Sequence, residues 1–195
     1  MELNRGRGSG PPPSTKIKEL NYMIEHFAEK FTSNKIEFVF KVNGSIPYMP
    51  EHVISQSRLE TMIGAHLQDA LIAVNASENT FRSVFIGIGL AGDCYEFAVS
   101  DSGVPFEVDT LVQLGTERVT THADTGGSGI GFMITFETMR KYGASLIISE
   151  KQPSAADYTK SVTIRFEGNN RYTIETYRLN EFPPSDRFMV VDREK

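Results

Sequence analysis

Three short stretches of this chain carry residue types that can do chemistry. The first is Asp69, a lone carboxylate on a helix flank otherwise made of Ala65, Ala73 and Ala76. The second is Asp101-Ser102-Gly103-Val104-Pro105, and the third is Gly126-Gly127-Ser128-Gly129-Ile130-Gly131. Closely spaced glycines let backbone amides approach phosphate oxygens, and a following helix adds unpaired N–H groups and the positive end of its dipole. An Asp at a strand end accepts a hydrogen bond from an amino group such as the exocyclic amine of adenine. Gly103 lets the chain turn beside a flat ring. A carboxylate on a neighbouring helix is a hard oxygen ligand for Mg²⁺. Together they describe a purine-nucleotide site with a mobile lid.

The elements that must position these groups follow from periodicity. A helical pattern runs over 15–31, and alternation over 36–42 predicts a strand. Leu59, Met62, Ile63, His66, Leu67, Ala70, Leu71 and Val74 recur at helical spacing and predict the longest helix. Strands are expected at 84–90 and from 95 onward. Tyr95, Phe97 and Val99 share a face, so the same parity turns Asp101 inward, where a carboxylate needs a partner. Residues 102–129 read as a long functional loop with one apolar patch at Val108, Leu111, Val112 and Leu114. A helix over 130–142 stops at Gly143. Strands at 145–149, 161–167 and 172–177 follow, the last two as a hairpin through Gly168-Asn169-Asn170. This order predicts an α+β two-layer sandwich, a mixed sheet with helices on one face. Residues 1–15 read as a flexible Pro/Gly-rich tail, 16–178 as the domain and 179–195 as a surface tail.

Composition narrows the setting. The 195 residues carry 20 Lys+Arg and 25 Asp+Glu, a net charge of −5, which lacks the basic footprint of nonspecific nucleic-acid binding. The single cysteine, Cys94, excludes an intrachain disulfide. No apolar run approaches the ~20 residues of a membrane span, so no direct membrane insertion by this chain is expected. A cytoplasmic setting fits, either in its own right or as the cytoplasmic part of a membrane-bound sensor.

The three boxes, in this order, resemble those of the GHKL ATP-binding superfamily. Asp101-Ser102-Gly103 resembles its DxG box, and 126–131 its second glycine box. The stretch Ile63-Gly64-Ala65-His66-Leu67-Gln68-Asp69-Ala70-Leu71-Ile72-Ala73 resembles the N-box helix of peptide-responsive histidine kinases. Thr116-Glu117-Arg118 resembles the basic lid position of that subgroup. The resemblance spans roughly 16–167 and implies a histidine kinase-like, Bergerat-type fold that binds ATP with Mg²⁺. It implies adenine held by Asp101 and the backbone near Gly103, Mg²⁺ held by Asp69, and phosphates cradled by Arg118, Gly126, Gly127, Gly129 and Gly131. The implied activity is phosphoryl transfer to a partner histidine in two-component signal transduction, with a phosphoacceptor or regulatory protein as partner.

Two positions depart from that pattern. The Mg²⁺-binding Asn falls on Asp69, and the earlier position, Glu in hydrolysing members, falls on Ala65. His66, one position on, is a candidate substitute base, although its place on the apolar stripe also fits a core histidine. Arg118 and His122 read equally as solvated lid residues or phosphate contacts. Phe106, Phe132, Met133 and Phe136 read as core, with one of them bordering the base. His26 is not assigned as a phosphoacceptor, because Glu25 precedes it, Phe27 follows, and one helix cannot form a dimerising hairpin. The alternatives are a non-catalytic nucleotide-binding switch and a stand-alone serine kinase of the anti-sigma type.

Overall fold

The computed structural model describes residues 13–116, 130–152 and 158–192. In chain order the elements are α1 (Lys18–Ser33), β1 (Glu37–Asn43), α2 (Tyr48–His52), α3 (Gln56–Ala76), β2 (Ser83–Ala91), β3 (Cys94–Asp101), α4 (Val108–Thr116), α5 (Ile130–Tyr142), β4 (Ser145–Glu150), β5 (Lys160–Phe166) and β6 (Tyr172–Thr176). Two 3₁₀ turns (Leu179–Glu181 and Pro184–Met189) then lead to β7 (Val190–Asp192). The strands form one mixed sheet in the order β1-β2-β3-β5-β4-β6-β7. β1 joins β2 in parallel, each neighbouring pair along β2, β3, β5 and β4 is antiparallel, and β6 and β7 continue in parallel beyond β4.

Period-two patterning decides which face each strand buries. Val84, Ile86, Ile88, Phe97, Val99, Leu146, Ile148, Val162, Ile164 and Ile174 turn to the helices and form the core. The other face is polar: Arg165 Nε donates to Glu96 Oε2 at 2.8 Å, and Ser100 Oγ donates to Ser161 Oγ at 3.0 Å. This is the predicted two-layer α+β sandwich with helices on one face. The β2–β3 turn is tight because Gly92 supplies φ +62° at the first of its two central positions. Among the described residues, no helix is long and apolar enough to cross a membrane.

Four local expectations need correction. β5 and β6 are not a hairpin. Both edges of β5 are taken, by β3 and β4, so β6 pairs in parallel with the far edge of β4. The connection crosses the start of β4, where Leu146 N–H donates to Arg171 O at 2.8 Å and Asn170 N–H to Gly143 O at 3.3 Å. The segment read as a C-terminal tail from 179 is instead integral up to Asp192. Phe182 is 1% exposed, Met189 is buried, and β7 extends the sheet. The apolar patch inside the expected loop is α4, whose Leu111 and Leu114 are buried. At the other end, Thr15 is buried and not part of a tail. Its N–H and hydroxyl both donate to Asn21 Oδ1, at 2.9 and 2.7 Å, fixing the entry to α1.

Candidate functional site

The inward parity of β3 does carry Asp101 into the helix-facing layer, where it is 3% exposed. Its Oδ1 accepts the Gly103 N–H at 2.9 Å and lies 3.6 Å from Lys160 Nζ. The backbone here is held from three sides. Ser102 N–H donates to Ser83 O at 3.0 Å, while its Oγ accepts the Ser83 N–H at 2.9 Å. Thr159 N–H donates to Asp101 O at 2.9 Å, and its hydroxyl donates to Gly103 O at 2.7 Å.

Gly103 is required by a close approach to α3. A Cβ there would lie 2.5 Å from the carbonyl carbon of Ala73 and 2.7 Å from its Cβ. The segment therefore lies directly on the last turns of α3. The Val104 N–H donates to Ala73 O at 3.2 Å, satisfying one of the end carbonyls of the helix. The small residues flanking Asp69 thus have a structural use at Ala73, which admits this backbone.

Register assembles the rest. Asp101 is opposite Lys160 on β5, and Lys160 is opposite Glu150 on β4. Glu150 in turn accepts the Thr176 hydroxyl of β6 at 3.0 Å. A row of buried polar groups therefore crosses four strands at one end of the sheet. Lys160, 6% exposed, donates to Val104 O at 2.6 Å, and its Nζ lies 4.5 Å from the centroid of the Phe106 ring. Glu150 is closed by Arg178, whose Nη2 lies 2.8 Å from Oε1. The same pair grips the segment after the DxG-like box: Phe106 N–H donates to Glu150 Oε1 at 3.0 Å, and Arg178 Nη2 donates to Phe106 O at 2.7 Å.

Asp69 comes to this cleft from α3 and is half-buried. Burial pushes its carboxyl up to about 6, opposed by the Lys160 charge. Burial also pushes Asp101 up to about 6, against the Lys160 ammonium and the Gly103 N–H, and the charge of Asp69 acts in the same upward direction. Two carboxylates and one ammonium therefore share a desolvated site. Among the described residues no group of three or more His, Cys, Asp or Glu side chains is disposed to hold a metal ion.

His66 takes another place. It is buried, with Nε2 2.9 Å from Thr135 Oγ1 on α5, and lies between Phe97 and Phe132, with ring centroids 6.2 and 5.3 Å away. Burial pushes its pKa down to about 4, so the neutral ring is the resident form. Ala65 beside it offers no acid or base. Phe132 continues edge-on to Phe106 at 5.9 Å, while Phe136 is core and Met133 is exposed. Gly131 lies in the first turn of α5. Arg118, His122, Gly126, Gly127 and Gly129 lie outside the described residues.

Sequence reasoning missed Lys160, Glu150, Phe106 as a strap, and Arg178. The signal for two of them was the parity already used for Asp101. Lys160 shares the inward face of Val162 and Ile164, and Glu150 that of Leu146 and Ile148. Polar residues at inward positions on three strand ends mark a buried polar row.

The sheet order and the helical layer give the fold of histidine kinase catalytic domains. Among solved structures, the chain is similar to the catalytic domain of histidine kinase ThkA in a nucleotide-free form. The TM-score is 0.56 at 17% identity, over 78% of this chain and 92% of that one. It is also similar to the mycobacterial sensor histidine kinase MprB, with a TM-score of 0.50 at 17% identity, over 75% of this chain and 90% of that one. At these identities the likeness is one of fold. No protein-family model matches the sequence, and no curated protein matches it.

Proposed function

We propose that this chain is a nucleotide-binding domain that takes Mg-ATP and, as a histidine kinase-like phosphotransferase, passes a phosphoryl group to a histidine of a partner protein. The observation that carries the reading is the state of Asp69 and Asp101. Both are withdrawn from water and raised, the Lys160 charge acts on each, and Lys160 Nζ lies 3.6 Å from Asp101 Oδ1. Such a pair gains from a hydrogen-bond donor at one carboxylate and a divalent cation at the other.

The residues fit the implied ligands. Mg²⁺ is usually held by one or two carboxylates together with substrate phosphates, not by an all-protein cage. A lone Asp69, with no three-ligand cluster among the described residues, has that character. When bound, the ion neutralises charge on the phosphates. Asp101 would accept the exocyclic amine of the base, and one of Phe106 and Phe132 would border its ring. Arg118, Gly126, Gly127, Gly129 and Gly131 would meet the phosphates. The setting would be cytoplasmic.

The test is calorimetric titration with ATP in the presence and absence of Mg²⁺. Saturable, Mg²⁺-dependent binding that Asp101→Asn removes is the expected result, and absence of binding overturns the reading. A second reading, a non-catalytic nucleotide switch, is favoured by one observation. Ala65 has no ionisable group, and His66 is neutral and engaged with Thr135 inside the core. Labelled ATP separates the two: turnover abolished by Asp101→Asn excludes the switch, and binding without turnover supports it.

A further inference from the structure

Lys160 is the counter-charge of the two carboxyls in the nucleotide reading, but that reading gives it no contact with the ligand. Its ammonium faces Asp101, donates to Val104 O and packs against the Phe106 ring. Burying a strongly hydrated ammonium requires partners of this kind. With Asp101 Oδ1 3.6 Å from Lys160 Nζ, a base held at Asp101 would bring its 6-substituent beside this ammonium. An amino group there would meet the ammonium donor against donor. A 6-oxopurine presents an acceptor at that atom instead, which an ammonium satisfies; lysine against the O6 of guanine is a recurrent pairing in base recognition.

We propose that Lys160 determines which purine the site takes. It competes with the 6-amino group of ATP and pairs with a 6-oxo group, so the chain accepts 6-oxopurine triphosphates alongside ATP. The proposal rests on the nucleotide-binding reading above. It is tested by calorimetric titration of the wild type and Lys160→Met with ATP and with inosine triphosphate, whose purine carries an oxo group in place of the 6-amino group. The wild type is expected to bind both with similar affinity. Exchange of one charged hydrogen bond predicts that Lys160→Met binds ATP about tenfold tighter and inosine triphosphate no tighter. An equal gain for both nucleotides, or no gain for ATP, overturns the proposal and leaves the nucleotide reading standing. Absence of binding by both proteins overturns both. Acetylation of Lys160 in the wild type gives a readout that needs no variant. ATP is expected to raise the reactivity of its amine and inosine triphosphate to lower it, and the same change with both overturns the proposal.

Discussion

Gly103 lies so close to Ala73 that a single methyl group has no room between them: the added Cβ would sit 2.5 Å from a backbone carbon. The strand end that carries Asp101 is thereby seated on the helix that carries Asp69. Side chains relax to admit extra volume, but a helical backbone does so only by moving the helix.

Gly103→Ala is therefore expected to destabilise the fold by at least about 2 kcal/mol, at the upper part of the overpacking range. Urea unfolding should show a lower midpoint with an unchanged slope. A change within about 0.5 kcal/mol, the range of ordinary surface substitutions, would contradict the close approach.

Stability should depend on pH through opposing groups. Asp69 and Asp101 are raised from 3.8 to about 6, so their contribution is fully present below pH 4 and lost as pH rises towards 6. His66 is lowered from 6.5 to about 4, so its contribution grows over pH 4 to 6.5, where the unfolded chain binds the extra proton. The carboxylates together are worth on the order of a few kcal/mol. Between pH 4 and 7 stability should rise with pH in Asp69→Asn/Asp101→Asn, whereas in the wild type the two carboxyls outweigh His66 and stability should fall. Parallel profiles would show that the two carboxylates are not shifted.

Arg178→Met removes the counter-ion of the fully buried Glu150 and the donor to Phe106 O. Breaking such a pair from one side costs about 3–5 kcal/mol, because the remaining charge stays buried. Thermal unfolding should show a large drop in Tm. Replacing Glu150 and Arg178 together by methionine should cost less than the sum of the two single changes. A Tm within a degree or two of wild type for Arg178→Met would contradict the strap.

Truncation after Arg178 removes Phe182 and Met189 from the core and β7 from the sheet. Emptying the space of one buried Phe costs about 3–5 kcal/mol, a large fraction of the net stability of a domain. The shortened chain should lose cooperative unfolding, and Phe182→Ala alone should lower the urea midpoint. A truncated chain as stable as the full one would return the segment to the status of a tail.

Local pattern reached much of the architecture. Alternation placed six of the seven strands, helical spacing placed α1, α3 and α5, and parity turned Asp101 inward before any contact was known. α4 escaped because nine residues among turn-forming neighbours give little periodicity, and β7 because three residues give none. The Gly168-Asn169-Asn170 turn was read correctly as a break and wrongly as a hairpin. A strand sequence does not say which of its edges is already occupied.

What this sequence determined by itself is local: where side chains alternate, where helices keep an apolar stripe, and which residues could meet a phosphate, a base or a cation. Those properties follow from backbone periodicity, which acts over a few residues. What only the tertiary structure decided is adjacency: Asp101 against Lys160, Glu150 against Arg178, and Gly103 against Ala73. The pairs lie 59, 28 and 30 positions apart in the sequence numbering. Their meeting depends on strand order and register, which are set by the packing of the whole sheet against its helices.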